Sequence, residues 1–212
     1  LPRVLLMNTP EGDRLVADLE AAGFRAFAAN PSDVPTDRDR IVARRLAFAP
    51  EGCTVTDAQG QDHPCPGSAM AALVRGYRTV ESTEIEKTTE RKLDLGKAIL
   101  TSGLMVTKTV VTSTERRTSA REPFLLLQRN DGQPPIQFYE HRLHYQGLGP
   151  QLQHSRTANF AVLLERLRSL APAAPVDDRI LRPGFLAGLP PLGPDPADLA
   201  LFLVLRARAL GC

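Results

Sequence analysis

Hydrophobic positions along this chain change their spacing several times, and each change marks a different kind of element. The apolar run RVLLMN (Arg3 to Asn8) suits a short strand, and in the following TPEGDRLVADLEAAGF the residues Leu15, Val16, Leu19 and Ala22 share one helical face. Thr9 is placed to cap that helix with Pro10 in its first turn, and Gly23 to end it. RAFAANPSDV then reads as a return strand, so residues 1–36 predict a small β-α-β unit. Its first loop, NTPEG, carries one glycine and neither G-x-G-x-x-G nor G-K-[ST], which removes the reason to expect a phosphate cradle.

Proline, aspartate and serine crowd NPSDVPTDRDR (Asn30 to Arg40), the composition of a linker. From Ile41 the period becomes two. RLAFAPEGCTVTDAQGQDHPCP alternates around turns at Pro50-Glu51-Gly52 and Asp57-Ala58-Gln59-Gly60, which predicts three short strands joined by hairpins. β-Branched residues at Val74, Thr79, Val80, Thr83, Ile85, Thr88 and Thr89 extend the next segment as one long strand, with Ser68 to Leu73 open between helix and strand. In REPFLLLQRNDGQPPIQFYE the turn Asn130-Asp131-Gly132 separates the arms Phe124 to Leu127 and Ile136 to Tyr139. SRTANFAVLLERLRSLAP places Phe160, Leu163, Leu164 and Leu167 at helical spacing, with Thr157 or Asn159 as cap and Pro172 as stop. The proline-rich tail, 173–212, ends in an apolar helix from about Pro196 to Leu210 capped by Asp195.

The segment LAFAPEGCTVTDAQGQDHPCPGSAMAALVRG, followed by FLLLQRNDGQPPIQFYEHRLHYQGLG leading into NFAVLLERLRSLAP, resembles the pleckstrin-homology-like and GRAM-like domains of bacteria over roughly Val42 to Pro172. The resemblance implies an α+β fold: an antiparallel β-barrel or sandwich over 42–172, closed by the amphipathic helix and carrying an inserted hairpin at 84–120. It also implies a binding or scaffolding module without catalysis. Two departures stand out. Pro66-Gly67-Ser68 occupies the place where such families often carry an aromatic, and the chain has no Trp. Lipid-headgroup binding does not carry over, because the loop between the first strands holds no basic cluster.

With 212 residues at 42% hydrophobic content the chain can bury a core without covalent staples, and two domains are the upper bound. Its 26 basic and 24 acidic residues are spread along the chain, so no basic face points to nucleic acid. Cys53, Cys65 and Cys212 are an odd number in a chain too large for a disulfide scaffold, which favours reduced thiols and a cytoplasmic setting. The bias toward Ala, Leu and Arg has a bacterial character. The opening residues do not read as a charged-then-apolar leader, the start at Leu1 without a Met suits a fragment or excised domain, and the longest apolar run, LALFLVL, is too short to span a bilayer.

Three constellations carry possible chemistry. Cys53, His63 and Cys65 offer soft ligands for zinc, one short of the four a structural site needs and without C-x₂-C spacing. His141 and His144, beside Glu140, suit acid-base work only where the backbone turns, since on a strand they face opposite sides. Glu90-Arg91-Lys92 fits the E-x-K half of a metal-dependent nuclease, with Asp57 or Asp62 as the second carboxylate, but those lie in turns. Asp177-Asp178-Arg179 reads as a turn. No metal, cofactor or catalytic residue is therefore expected.

The remaining feature is ERKLDLGKAILTSGLMVTKTVVTSTERR (Glu90 to Arg117). Its Thr-rich arms carry both signs of charge and mirror one another, as the arms of an antiparallel ribbon would. All four lysines of the chain, Lys87, Lys92, Lys97 and Lys108, fall in or beside it, and the last two bracket an apolar tip. Long lysine stems lie along apolar surface while their ammonium groups stay in water. Leu95, Lys97, Ile99, Leu100, Leu104, Met105, Val106 and Lys108 therefore either fold back on the barrel or the C-terminal helix of the same chain or, as an outward tip, form the contact for a protein partner or a second copy of the chain, with a membrane surface as the lesser alternative.

Overall fold

A computed structural model of the chain describes residues 9–93, 107–182, 195–209 and 211; the side chains of Thr9 and of residues 81–118 lie outside that description. Helix α1 (Thr9–Ala21) has the expected span. It ends at Gly23, whose φ of +83° suits a residue without Cβ, with Phe24 N–H donating to the Leu19 carbonyl and Gly23 N–H to that of Glu20. The strand expected at Arg3 to Asn8 lies outside the described residues. The return strand expected after α1 is absent: Phe24 to Asn30 is irregular, and Pro31–Asp33 and Asp37–Asp39 form short 3-10 turns. Local bonds explain this. Asn30 and Thr36 N–H groups go to the Asp33 and Asp39 carboxylates three residues on, and Pro31 and Pro35 have no N–H to give to a ladder.

Two sheets follow. The first has five strands in the order β1-β7-β6-β5-β8, and the second has three in the order β2-β3-β4. Their ranges are β1 Ile41–Val42, β2 Arg45–Ala49, β3 Gly52–Thr56, β4 Asp62–Pro66, β5 Met70–Leu93, β6 Thr107–Arg129, β7 Ile136–Tyr139 and β8 Val176–Asp177. The β2-β3-β4 meander turns where the alternation required, and β6 pairs antiparallel with β7 from Phe124↔Tyr139 to Leu127↔Ile136. β1 joins β7 and β8 joins β5 in parallel, over two residue pairs each. Of the expected barrel or sandwich, a closed barrel is not formed: among the described residues the larger sheet ends at β1 and β8 and the smaller at β2 and β4.

One core is shared by the two sheets. Leu46, Cys53, Val55 and Cys65 from the smaller sheet meet Leu73, Leu125, Leu127, Ile136 and Phe138 from the larger, and helix α2 (Arg156–Leu170) seals them with Leu163, Leu164 and Leu167. Ser155, rather than Thr157 or Asn159, caps α2, its Oγ accepting from Ala158 N–H at 3.1 Å. Asn159 instead turns inward and holds Gln153 through both its backbone groups, at 2.7 and 3.0 Å. The opposite face of the larger sheet is covered by helix α3 (Pro196–Ala209), whose Ala197, Ala200, Leu201 and Val204 pack on Val74, Phe124, Leu126 and Tyr139. Asp195 caps α3 as expected, Oδ1 accepting from Ala197 N–H at 2.8 Å.

Contacts divide the chain into two compact units, Leu1–Arg78 with Glu122–Cys212, and Thr79–Arg121. The hairpin expected at 84–120 falls within the second. Neighbouring strands β5 and β6, of 24 and 23 residues, run through both units. Among the described residues no helix is long and apolar enough to cross a membrane.

Candidate functional site

Strand β7 decides where polar chemistry can sit. Ile136 and Phe138 point into the shared core, so Gln137 and Tyr139 must point the other way, toward α3. There the first turn of α3 does not close completely on the sheet. A cleft of about 190 Å³ remains, with Phe124, Gln137 and Tyr139 as its floor, and Asp37, Arg78, Asp195 and Asp198 among its walls.

Buried charges around this cleft are paired. Arg78 donates to the Glu122 carboxylate at 2.6 and 2.8 Å, and Glu122, only 4% exposed, also accepts from His141 N–H. The Arg78 guanidinium lies 3.6 Å from the centre of the Tyr139 ring, and Arg142 lies 4.7 Å from the same centre. Tyr139 donates its hydroxyl to Asp37, which Arg142 reaches at 3.4 Å and Arg78 at 3.8 Å. Arg40, also buried, donates to Asp198 at 2.5 Å and to the Pro35 carbonyl at 2.7 Å. Burial, followed by the hydrogen bond to Asp37, pushes the Tyr139 phenol well above its ordinary range. Burial likewise raises the Asp198 carboxyl, with Asp195 and Asp37 adding repulsion against the pull of Arg40.

One atom is left over. The Gln137 side chain is fully buried and its Nε2 donates to the Leu125 carbonyl, but Oε1 has no hydrogen-bond partner among the described residues. Buried acceptors are normally paired, and this one belongs to a residue that lines the cleft.

The residues singled out by sequence fall elsewhere. Cys53 and Cys65 are free, buried and directly opposite one another on β3 and β4. Donation of its S–H to Cys65, with burial, pushes the Cys53 thiol up, while accepting that bond and the nearby Arg129 lower Cys65. His63 does not join them: its Nε2 meets the Asp57 carboxylate at 2.9 Å. Among the described residues no group of three or more His, Cys, Asp or Glu side chains is placed to hold a metal. No contact joins the His141 and His144 side chains among the described residues: His141 Nδ1 meets Arg156 at 3.4 Å, and the backbone of His144 bridges to Arg45 on β2. Glu140 accepts from Thr157 at 2.6 Å. Asp57 and Asp62, the carboxylates proposed to complete a nuclease site, are engaged by His63 and Thr56, and the Glu90 and Lys92 side chains lie outside the described residues. Leu95, Lys97, Ile99, Leu100, Leu104, Met105 and Val106, and the side chain of Lys108, also lie outside them.

The cleft residues escaped sequence reading because Asp37, Arg78, Gln137 and Asp198 come from distant segments. The one available signal was Gln137 itself, a polar residue inside the otherwise apolar arm IQFY. Fold and site together define an α+β protein of two sheets with a polar cleft under its last helix. No family model, curated protein or solved structure matches the chain.

Proposed function

We propose that this protein is a non-enzymatic protein-interaction module whose contact element is the β5–β6 ribbon with the apolar residues between its strands, and that its first partner is a second copy of the chain. The observation that supports this is the length of the ribbon against its cover. β7 flanks β6 only at Phe124–Leu127 and β8 flanks β5 only at Leu73 and Val74, whereas β5 and β6 continue to Leu93 and from Thr107. A two-stranded ribbon is marginal in water on its own; three or more strands, or packing on another surface, give independent stability. Edge-to-edge pairing of two ribbons satisfies that need by strand addition, and both arms mix Glu with Lys and Arg, so each brings both signs of charge to such a pairing. The apolar residues between the arms, Ile99 and Leu104 among them, add buried area.

Replacing Ile99 and Leu104 together with Asp tests the reading. The expected result is loss of self-association with the circular dichroism spectrum unchanged; loss of folding instead would make those residues part of the protein's own core. The remaining parts, two sheets over one core with α2 against it, suit the scaffold of a pleckstrin-homology-like domain, and in this reading they serve to anchor the ribbon.

A further inference from the structure

The cleft beneath α3 is lined by residues outside the Thr79–Arg121 unit, and its chemistry is specific enough to name a ligand class. We infer that it binds the guanidinium group of a small organic cation, with the orphaned Gln137 Oε1 accepting one of its N–H groups. Three observations carry this. The first is the unpaired, fully buried amide oxygen on the cleft floor. Its orientation is fixed, because Nε2 is engaged with the Leu125 carbonyl and turning the amide over would set two acceptors against each other. The ligand must therefore donate.

The second observation is the charge around the cleft. Three carboxylates, Asp37, Asp195 and Asp198, line it against one guanidinium, Arg78; Arg40 pairs with Asp198 and Arg142 with Asp37 from outside the lining, and Glu122 pairs with Arg78, so among the described residues Asp195 is the lining carboxylate with no ion pair. Arg78 does not repel the newcomer strongly, because Glu122 holds it by two contacts of 2.6 and 2.8 Å. The third is size. A volume of about 190 Å³ is below the ordinary range for drug-sized ligands, roughly 300 to 1,000 Å³, and admits a head group rather than a nucleotide or a sugar chain. A planar cation with donors in a fork fits an amide oxygen below and carboxylates beside it better than a spherical ammonium does.

Methylguanidinium is the probe. Titrated at low millimolar concentration into the full chain and followed by calorimetry and by the Gln side-chain amide signals in NMR, it should bind saturably. Tetramethylammonium, equal in charge but without N–H donors, should not. Gln137→Leu removes the acceptor and should weaken methylguanidinium at least tenfold without lowering the melting temperature, since it also removes a buried unpaired group. Asp195→Ser keeps a capping oxygen on α3 but removes one charge, and should weaken binding severalfold. A capped Gly-Arg-Gly peptide separates the two sources of the group: tighter binding than methylguanidinium assigns a protein's arginine, and no binding assigns a free metabolite. Absence of saturable methylguanidinium binding, equal binding of tetramethylammonium, or full binding by Gln137→Leu overturns the inference.

Discussion

Replacing Arg78 with Met removes the partner of a buried carboxylate while keeping most of the aliphatic stem. Glu122 is 4% exposed, and with Arg78 gone the His141 N–H at 3.2 Å is the only remaining polar contact recorded for its carboxylate among the described residues. Breaking a buried pair from one side costs about 3 to 5 kcal/mol, because the surviving charge is left in low dielectric. For a domain of this length that corresponds to a fall in melting temperature of about 6 to 20 °C. Loss of the stacking on Tyr139 at 3.6 Å acts in the same direction. Urea unfolding of both proteins, monitored by circular dichroism, measures the cost. A cost under about 1 kcal/mol would place the pair in the screened, surface class and refute the reasoning.

Other substitutions probe the fold directly. Leu163→Ala, at a fully buried position of α2 in the shared core, should cost about 2 to 5 kcal/mol in urea unfolding, against about 0.5 kcal/mol or less for Phe24→Ala at a site 65% exposed. Gly147→Ala should be among the most damaging single changes, about 3 kcal/mol or more, because a Cβ there would meet the Leu46 carbonyl oxygen at 1.7 Å with only backbone to yield. Asp57 is held below the usual carboxylate range, first by His63 and then by the N–H groups of Gln61 and Gln59. Its contribution is thus present above the unfolded aspartate pKa and lost as pH falls through the lower folded value. Asp57→Asn should flatten that part of the acid-unfolding curve, as thermal melts between pH 2 and 5 would show.

Elements set by local periodicity were legible in the sequence. The β2-β3-β4 meander, the β6-β7 hairpin, α1, α2 and α3 each follow from alternation or helical spacing bounded by Gly, Pro or a capping side chain. Features set by distant partners were not. β1 and β8 are two residues long and exist only because β7 and β5 offer them an edge, so no periodicity could announce them. The return strand after α1 was misread because Ala, Phe and Val suggested extension, while the Asp33 and Asp39 carboxylates captured the backbone locally. The opposition of Cys53 and Cys65 follows from a loop that runs Asp57 to Gln61, one residue longer than the turn read at Asp57 to Gly60, which would have set Cys53 against Pro64. The cleft was invisible for a different reason: Arg40 and Asp198 meet across 158 residues of sequence, and Tyr139 and Asp37 across 102.

Lysine and arginine along a strand edge can also deter pairing, which gives the ribbon's charges an opposite role to the one proposed. Sedimentation velocity over a hundredfold concentration range, on wild type and on Ile99→Asp/Leu104→Asp, separates the two roles. The account predicts a wild-type species at twice the 23.1 kDa chain mass and a monomeric double variant with unchanged circular dichroism. A wild type that stays monomeric throughout would contradict it and assign those charges to keeping the ribbon alone.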